Sequence, residues 1–160
     1  MHNGTRGFTL IELLIVIAMI GIMTTMALPS FQDQIIRTQV QEAIALSEFV
    51  RSDVATFYKE KGRLPTSNAE AGLPPAERIV GNYVASVTVD GGRIDILLGG
   101  RINKNAAGKI LSIRPAIIPE SSKVPIAWVY GYASTPKGMA LVGENRSTIT
   151  AQFLPVNCRY

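Results

Sequence analysis

Residues 6–18 read Arg6-Gly7-Phe8-Thr9-Leu10-Ile11-Glu12-Leu13-Leu14-Ile15-Val16-Ile17-Ala18. A carboxylate, Glu12, stands inside an otherwise apolar run that continues to Leu28. At about 1.5 Å per residue, a helix over residues 8–28 reaches about 30 Å, the thickness of a bilayer's hydrocarbon core. The spacing therefore predicts a membrane segment. A charge near the centre of such a helix costs about 2.5–3.5 kcal/mol unless it reaches water or a partner. Glu12 lies near the segment's start, so snorkelling to the interface is one answer and a partner the other.

An ordinary secretory signal, with Arg6 in the basic region and cleavage after Ala27, is the alternative; it would release a soluble binding module. The apolar run is longer than such signals use, and Thr25-Met26-Ala27 is a poor cleavage site. Either way the remainder of the chain is exported.

Beyond Pro29 the pattern changes. Ile36, Val40, Ala43, Ser47, Val50, Val54 and Phe57 are spaced alternately four and three apart, with polar residues between them. This is one apolar stripe on a polar helix, and it predicts packing on a sheet. The helix over 8–61 thus has a hydrophobic half, 8–28, and an amphipathic half, 29–61. Its length would be on the order of 80 Å. Gly21 and Pro29 are its expected break, since proline lacks an N–H and crowds the preceding turn. Gly62 is placed to cap it, just ahead of Leu64-Pro65.

Residues 62–82 read as a loop rich in Pro and Gly. Alternating strands follow over 83–89 and 93–98, joined across Asp90-Gly91-Gly92, and two more over 109–114 and 126–132. The sheet region is 83–132, antiparallel, and 133–160 is an irregular tail. The fold class is α+β.

The 160-residue chain has 16 Lys and Arg against 12 Asp and Glu, a net charge of +4. Arg6 and Glu12 are the only charged residues before Asp33, so the positive balance belongs to the exported part. No basic cluster with interleaved aromatics marks a nucleic-acid surface. The one histidine, His2, precedes the membrane segment, which excludes Ser-His-Asp, Cys-His and histidine metal sites from the exported part. The acids are dispersed, and the glycine pairs have no phosphate-loop spacing. The expectation is a non-enzyme without catalytic residues, metal or cofactor. Asn145-Arg146-Ser147 matches the glycosylation triplet, a pattern frequent by chance. Cys158 is the single cysteine, so it is either a free thiol or half of an intermolecular bond.

Gly7-Phe8-Thr9-Leu10-Ile11-Glu12 followed by an apolar run resembles the class III signal of type IV pilins. Segments 81–89 and 108–113 and Trp128 are similar to strand segments of the type IVa branch, so the resemblance covers nearly the whole chain. It implies a long N-terminal helix packed on a four-stranded antiparallel sheet, and a leader, 1–7, removed by a prepilin peptidase after Gly7. It also implies methylation of Phe8, and Glu12 as the acidic fifth residue used in assembly. The implied function is polymerisation into a pilus filament for adhesion, twitching motility or DNA uptake. Its partners would be other copies of the chain, the peptidase and an inner-membrane assembly platform with its ATPases, and DNA or a host surface in addition. The subunit would sit in the inner membrane of a Gram-negative bacterium and then in an extracellular filament. A minor pilin or a type II secretion pseudopilin shares the leader; the scarcity of acids after Glu120 argues against the pseudopilin's calcium site. In the family a cysteine commonly stands two residues after a tryptophan like Trp128 and pairs with one near the C-terminus. Here Tyr130 occupies that position, so the tail must be held by packing.

Overall fold

The computed structural model describes residues 7–119 and 121–159, with backbone alone at residues 27–30. Residues 1–6 of the expected leader and Glu120 lie outside the described residues. The chain divides into two units, Met1–Gln34 and Ile35–Tyr160.

The first unit is helical from Leu10, where α1 (Leu10–Leu46) begins. Its side chains from Phe8 to Met26 are exposed and mostly apolar, Phe8 at 76% and Met26 at 78%. A helix apolar all round has no face that water favours, and this one is long and apolar enough to cross a membrane. The assigned helix is not interrupted at Gly21 or Pro29, where a break was expected. One missing N–H removes a single bond of the helical ladder, and the bonds on either side suffice to carry the helix past it. The ring of Pro29 lies outside the described side chains.

The interruption falls instead at Ser47, between α1 and α2 (Glu48–Lys61). The Ser47 hydroxyl donates to the Ile44 carbonyl at 2.7 Å, and the Ser47 N–H donates to the same oxygen at 3.1 Å. A serine bonding back to the preceding turn takes an acceptor from the helix ladder, so a position read as part of the stripe becomes a one-residue turn. The stripe itself is buried from Ile36 to Val54, and its last member shifts: Tyr58 is buried, whereas Phe57 is half-buried under the Arg63 guanidinium. Gly62 ends α2 in the left-handed conformation, φ 70°, with its N–H on the Tyr58 carbonyl at 2.9 Å.

The stripe packs on a sheet of β1 (Val84–Asp90), β2 (Arg93–Leu98), β3 (Ile110–Ile117), β4 (Ala127–Tyr130) and β5 (Ala140–Leu141). The order is β1-β2-β3-β4, all neighbours antiparallel, with β5 also on β3. Asp90 pairs with Arg93, leaving a two-residue turn in which Gly91 and Gly92 both have positive φ, 59° and 82°. A Cβ on Gly92 would lie 2.8 Å from the Leu64 side chain, so this position also demands glycine sterically. Val87, Ile94, Ile96, Leu111 and Ile113 form the face under the helix and are fully buried.

Two sheet expectations are corrected. β3 does not stop before Pro115 but runs through it to Ile117. Its ladder with β2 ends at the Ile94–Ile113 pair, and on that side the Pro115 carbonyl accepts the Val142 N–H at 2.9 Å. The missing proline N–H thus falls where partners change from β2 to β5, which is where a sheet tolerates it. The tail contributes the fifth strand, β5, too short to show a period in sequence.

The edge strand β1 is covered by the preceding loop. Buried Asn68 accepts the Val89 N–H at 2.6 Å and donates to the Val87 carbonyl at 2.9 Å and the Pro74 carbonyl at 3.1 Å. One side chain thus takes the place of a neighbouring strand and closes an edge otherwise open to pairing.

Candidate functional site

Two regions carry the sequence's candidate residues: the start of α1 and the Tyr130–Cys158 region. At the first, Leu10 opens the helix and Thr9 occupies its cap. The Glu12 N–H donates to the Thr9 hydroxyl at 3.4 Å, and that hydroxyl donates to the Glu12 carboxylate at 3.5 Å. The Leu13 N–H reaches the Thr9 carbonyl at 3.3 Å. Thr9 is thus a loose N-cap at Thr-x-x-Glu spacing, satisfying an orphan amide, with the acid at the positive end of the helix dipole. Glu12 is therefore not wholly uncompensated. The Thr-x-x-Glu spacing of Thr9 and Glu12 is legible in the sequence, where it coincides with the start of the apolar run. Thr9 is the one side chain bonded to Glu12 among the described residues, so most of the carboxylate's accepting capacity is unused. Gly7 has no atom within 4 Å of where a Cβ would stand. Gly21 is equally open.

In the second region, Cys158 is a free cysteine, 1% exposed. Burial pushes its thiol up to about 11. It lines a cavity of about 170 Å³ together with Tyr130, Gln41, Ile44, Pro155 and Asn157. Tyr130 is half-buried, with the Arg51 guanidinium 5.4 Å from its ring centre, and Arg51 is ion-paired with Glu48. Desolvation raises the Tyr130 hydroxyl pKa.

The tail is closed without a covalent bond. Phe153, Leu154 and Cys158 join the core, and the Tyr132 N–H donates to the Cys158 carbonyl at 3.1 Å. Gly131 stands at the crossing, φ 53°, where a Cβ would come within 2.9 Å of Leu154. On the opposite face of the sheet, Arg93 binds Asp95 at 2.9 Å and Asp90 at 2.6 Å. Burial works against the Arg93 charge, but the two carboxylates outweigh it. The Ser112 hydroxyl donates to Asp95 at 2.5 Å and accepts the Arg146 N–H at 3.0 Å, while the Ser112 N–H donates to the Ser147 hydroxyl at 3.0 Å. Thr148 adds a backbone bond to Ile110 at 2.9 Å. Asn145 of the glycosylation triplet holds this loop in place, donating to the Gly131 carbonyl at 2.9 Å and accepting the Ser147 N–H at 3.0 Å.

No group of three His, Cys, Asp or Glu side chains among the described residues could hold a metal ion.

Residues 36–159 match the family described as Pilin (bacterial filament), and residues 2–28 match the prokaryotic N-terminal methylation motif. The chain belongs to the pilin family. The pilin is 42% identical to a type IV major pilin protein PilE of Neisseria gonorrhoeae, over 99% of this chain and 96% of the relative. It is 36% identical to a fimbrial protein of Neisseria meningitidis serogroup B over the same shares, and 34% identical to the fimbrial protein EcpC of Eikenella corrodens over 96% and 90%. The pilin's residues fall into two sets. Gly7, Phe8 and Glu12 belong to the helical N-terminal unit; Tyr130 and Cys158 line one cavity in the second.

Proposed function

We propose that this pilin is the major subunit of a type IV pilus, released from its leader by cleavage after Gly7, methylated on Phe8 and held in the filament through its N-terminal helix. The observation that carries this reading is the exposed apolar surface from Phe8 to Met26 with Glu12 as its single charge. Such a surface needs lipid before assembly and neighbouring helices after it. The conformation of Gly7 gives the fold no reason to require glycine, which fits a residue kept for a peptidase. The relatives named as major pilins and fimbrial proteins favour a major over a minor subunit.

On this reading Glu12 has two partners in turn. In the membrane-bound subunit Thr9 caps the helix beside it. Cleavage then places an ammonium on Phe8, four residues earlier, and in a filament a neighbour's ammonium supplies the charge that a protein-buried carboxylate needs. The carboxylate thereby sets axial register between subunits. The peptidase and an inner-membrane platform are the partners this route requires, and the pilus extends from the surface of a Gram-negative cell. Adhesion, twitching motility and DNA uptake are the activities such a filament serves.

Mass spectrometry of sheared filaments tests the proposal. The expected terminus is N-methylated Phe8; a subunit beginning at Leu28 would overturn it in favour of an ordinary secreted module.

A further inference from the structure

Two grooves flank α2, each of about 310 Å³. One is lined by Ser52, Lys59, Lys123 and Pro125 among others, the other by Asp53, Phe57, Glu60 and Glu70. Thr56 lines both. At 100° per residue, positions 52, 55 and 59 fall on one side of Thr56, and positions 53, 57 and 60 on the other, so Thr56 is the crest between them. The grooves have opposite charge. Arg63 neutralises Glu70 by direct pairing, which leaves Asp53 and Glu60 as the net charge of the acidic groove. Lys59 and Lys123 give the other its positive sign. None of Asp53, Glu60, Lys59 and Lys123 has an ion-pair partner among the described residues.

We propose that these grooves are the two halves of one contact between copies of this chain, with Lys123 and Lys59 of one copy set against Asp53 and Glu60 of the next. Two complementary patches on different flanks of one helix make a heterologous contact, which propagates rather than closing into a pair. The exposed Lys123 and Pro125 belong to the β3–β4 loop, which supplies a wall of the basic groove that can reach a neighbour's α2. Opposed charges steer the encounter and like-charge alignments are rejected, so the contact also selects lateral register. This inference rests on the filament reading above.

The test compares sheared filament yield from the full chain and from Glu60→Lys, Lys123→Glu and the double variant, in a host that carries a pilus machinery. Each exposed reversal should lower the yield by about fivefold at low salt, and the double variant should return to within about twofold of the unmodified chain. Wild-type yields from both single variants, or a double variant no better than either, overturn the contact. A basic groove serving an anionic partner instead would give the second of these results. Filaments absent from the unmodified chain would overturn the subunit reading itself. As a measurement that does not depend on reversed charges, filaments of Glu60→Cys with Lys123→Cys should give a ladder with a short bifunctional maleimide; monomer alone counts against the contact.

Discussion

The Thr9 hydroxyl and the Glu12 carboxylate stand 3.5 Å apart in the first turn of α1, joined through the Glu12 N–H. The residue whose charge looks costly in the membrane segment is also half of a helix cap. The two roles separate by substitution. Thr9→Ala should loosen the first turn by about 1 kcal/mol, the usual cost of a lost cap. Glu12→Ala keeps its own backbone N–H on the Thr9 hydroxyl but loses the filament partner, where an unpaired buried charge costs about 3–5 kcal/mol. Filament yield should therefore fall only severalfold in Thr9→Ala and below about a tenth in Glu12→Ala, with leader cleavage intact in both. Equal yields would refute the register role.

Cys158 should be silent to thiol reagents in the folded pilin and react once per chain after denaturation without reductant. A sulfur 1% exposed is not available to a second chain, so no dimer across Cys158 is expected on a non-reducing gel. Its pKa, raised from 9.0 to about 11 by burial, means that the folded state holds the proton more tightly than the unfolded chain. That contribution to stability is whole below pH 9 and is lost as pH rises through about 11. Urea midpoints taken across that window in the pilin and in Cys158→Ala should show the extra alkaline loss only in the former.

Tyr130→Cys puts a second thiol on the cavity that Cys158 lines. Oxidised, the closed loop should add about 3 kcal/mol and raise the melting temperature by roughly 10 °C. Reduced, the same variant should melt below the wild type, because it has lost the Tyr130 ring and its contact with Arg51. A reductant-insensitive melting curve would show that the bond does not form.

Asn68→Ala removes three hydrogen bonds and strands the Val89 N–H and the Val87 carbonyl on a sheet edge. The expected loss is about 2–4 kcal/mol by urea unfolding. Asn68→Asp should cost a similar amount, since a carboxylate cannot donate to the Val87 and Pro74 carbonyls.

Ser112→Ala should detach the 143–149 loop rather than unfold the sheet. The Arg146 amide and one Asp95 oxygen lose their partner, at about 1–2 kcal/mol. Hydrogen exchange should quicken at Arg146 and Thr148 while Leu111 and Ile113 stay protected.

Much of this fold was legible because its signals are periodic and local. The four-and-three spacing from Ile36 to Val54 defines a buried stripe whatever covers it, Gly62 ends a helix by its own backbone freedom, and Gly91-Gly92 turns a hairpin without help. The exceptions are positions where a hydrogen-bond partner, distant in every case but Ser47, decided between local options. Ser47 is small enough for the stripe, yet its hydroxyl takes the Ile44 carbonyl. Pro115 should end a strand, yet its absent N–H falls at the change from β2 to β5. Asn68 reads as a loop residue, and only the place of Val87 and Val89 beside it makes it an edge cap.

The sequence alone determined the class of molecule: a leader motif, a run of apolar residues long enough for a membrane and a single acid near its start, all contiguous in the chain. It also determined that no disulfide within the chain closes the tail, since Tyr130 and a lone Cys158 are facts of composition. How the tail is held instead was decided by the tertiary structure. Hydrogen bonds from the Arg146 N–H to the Ser112 hydroxyl, from the Ser112 N–H to Ser147, and from the Tyr132 N–H to the Cys158 carbonyl join residues tens of positions apart. No spacing rule encodes such pairs, because each forms only where sheet and core have already fixed both ends.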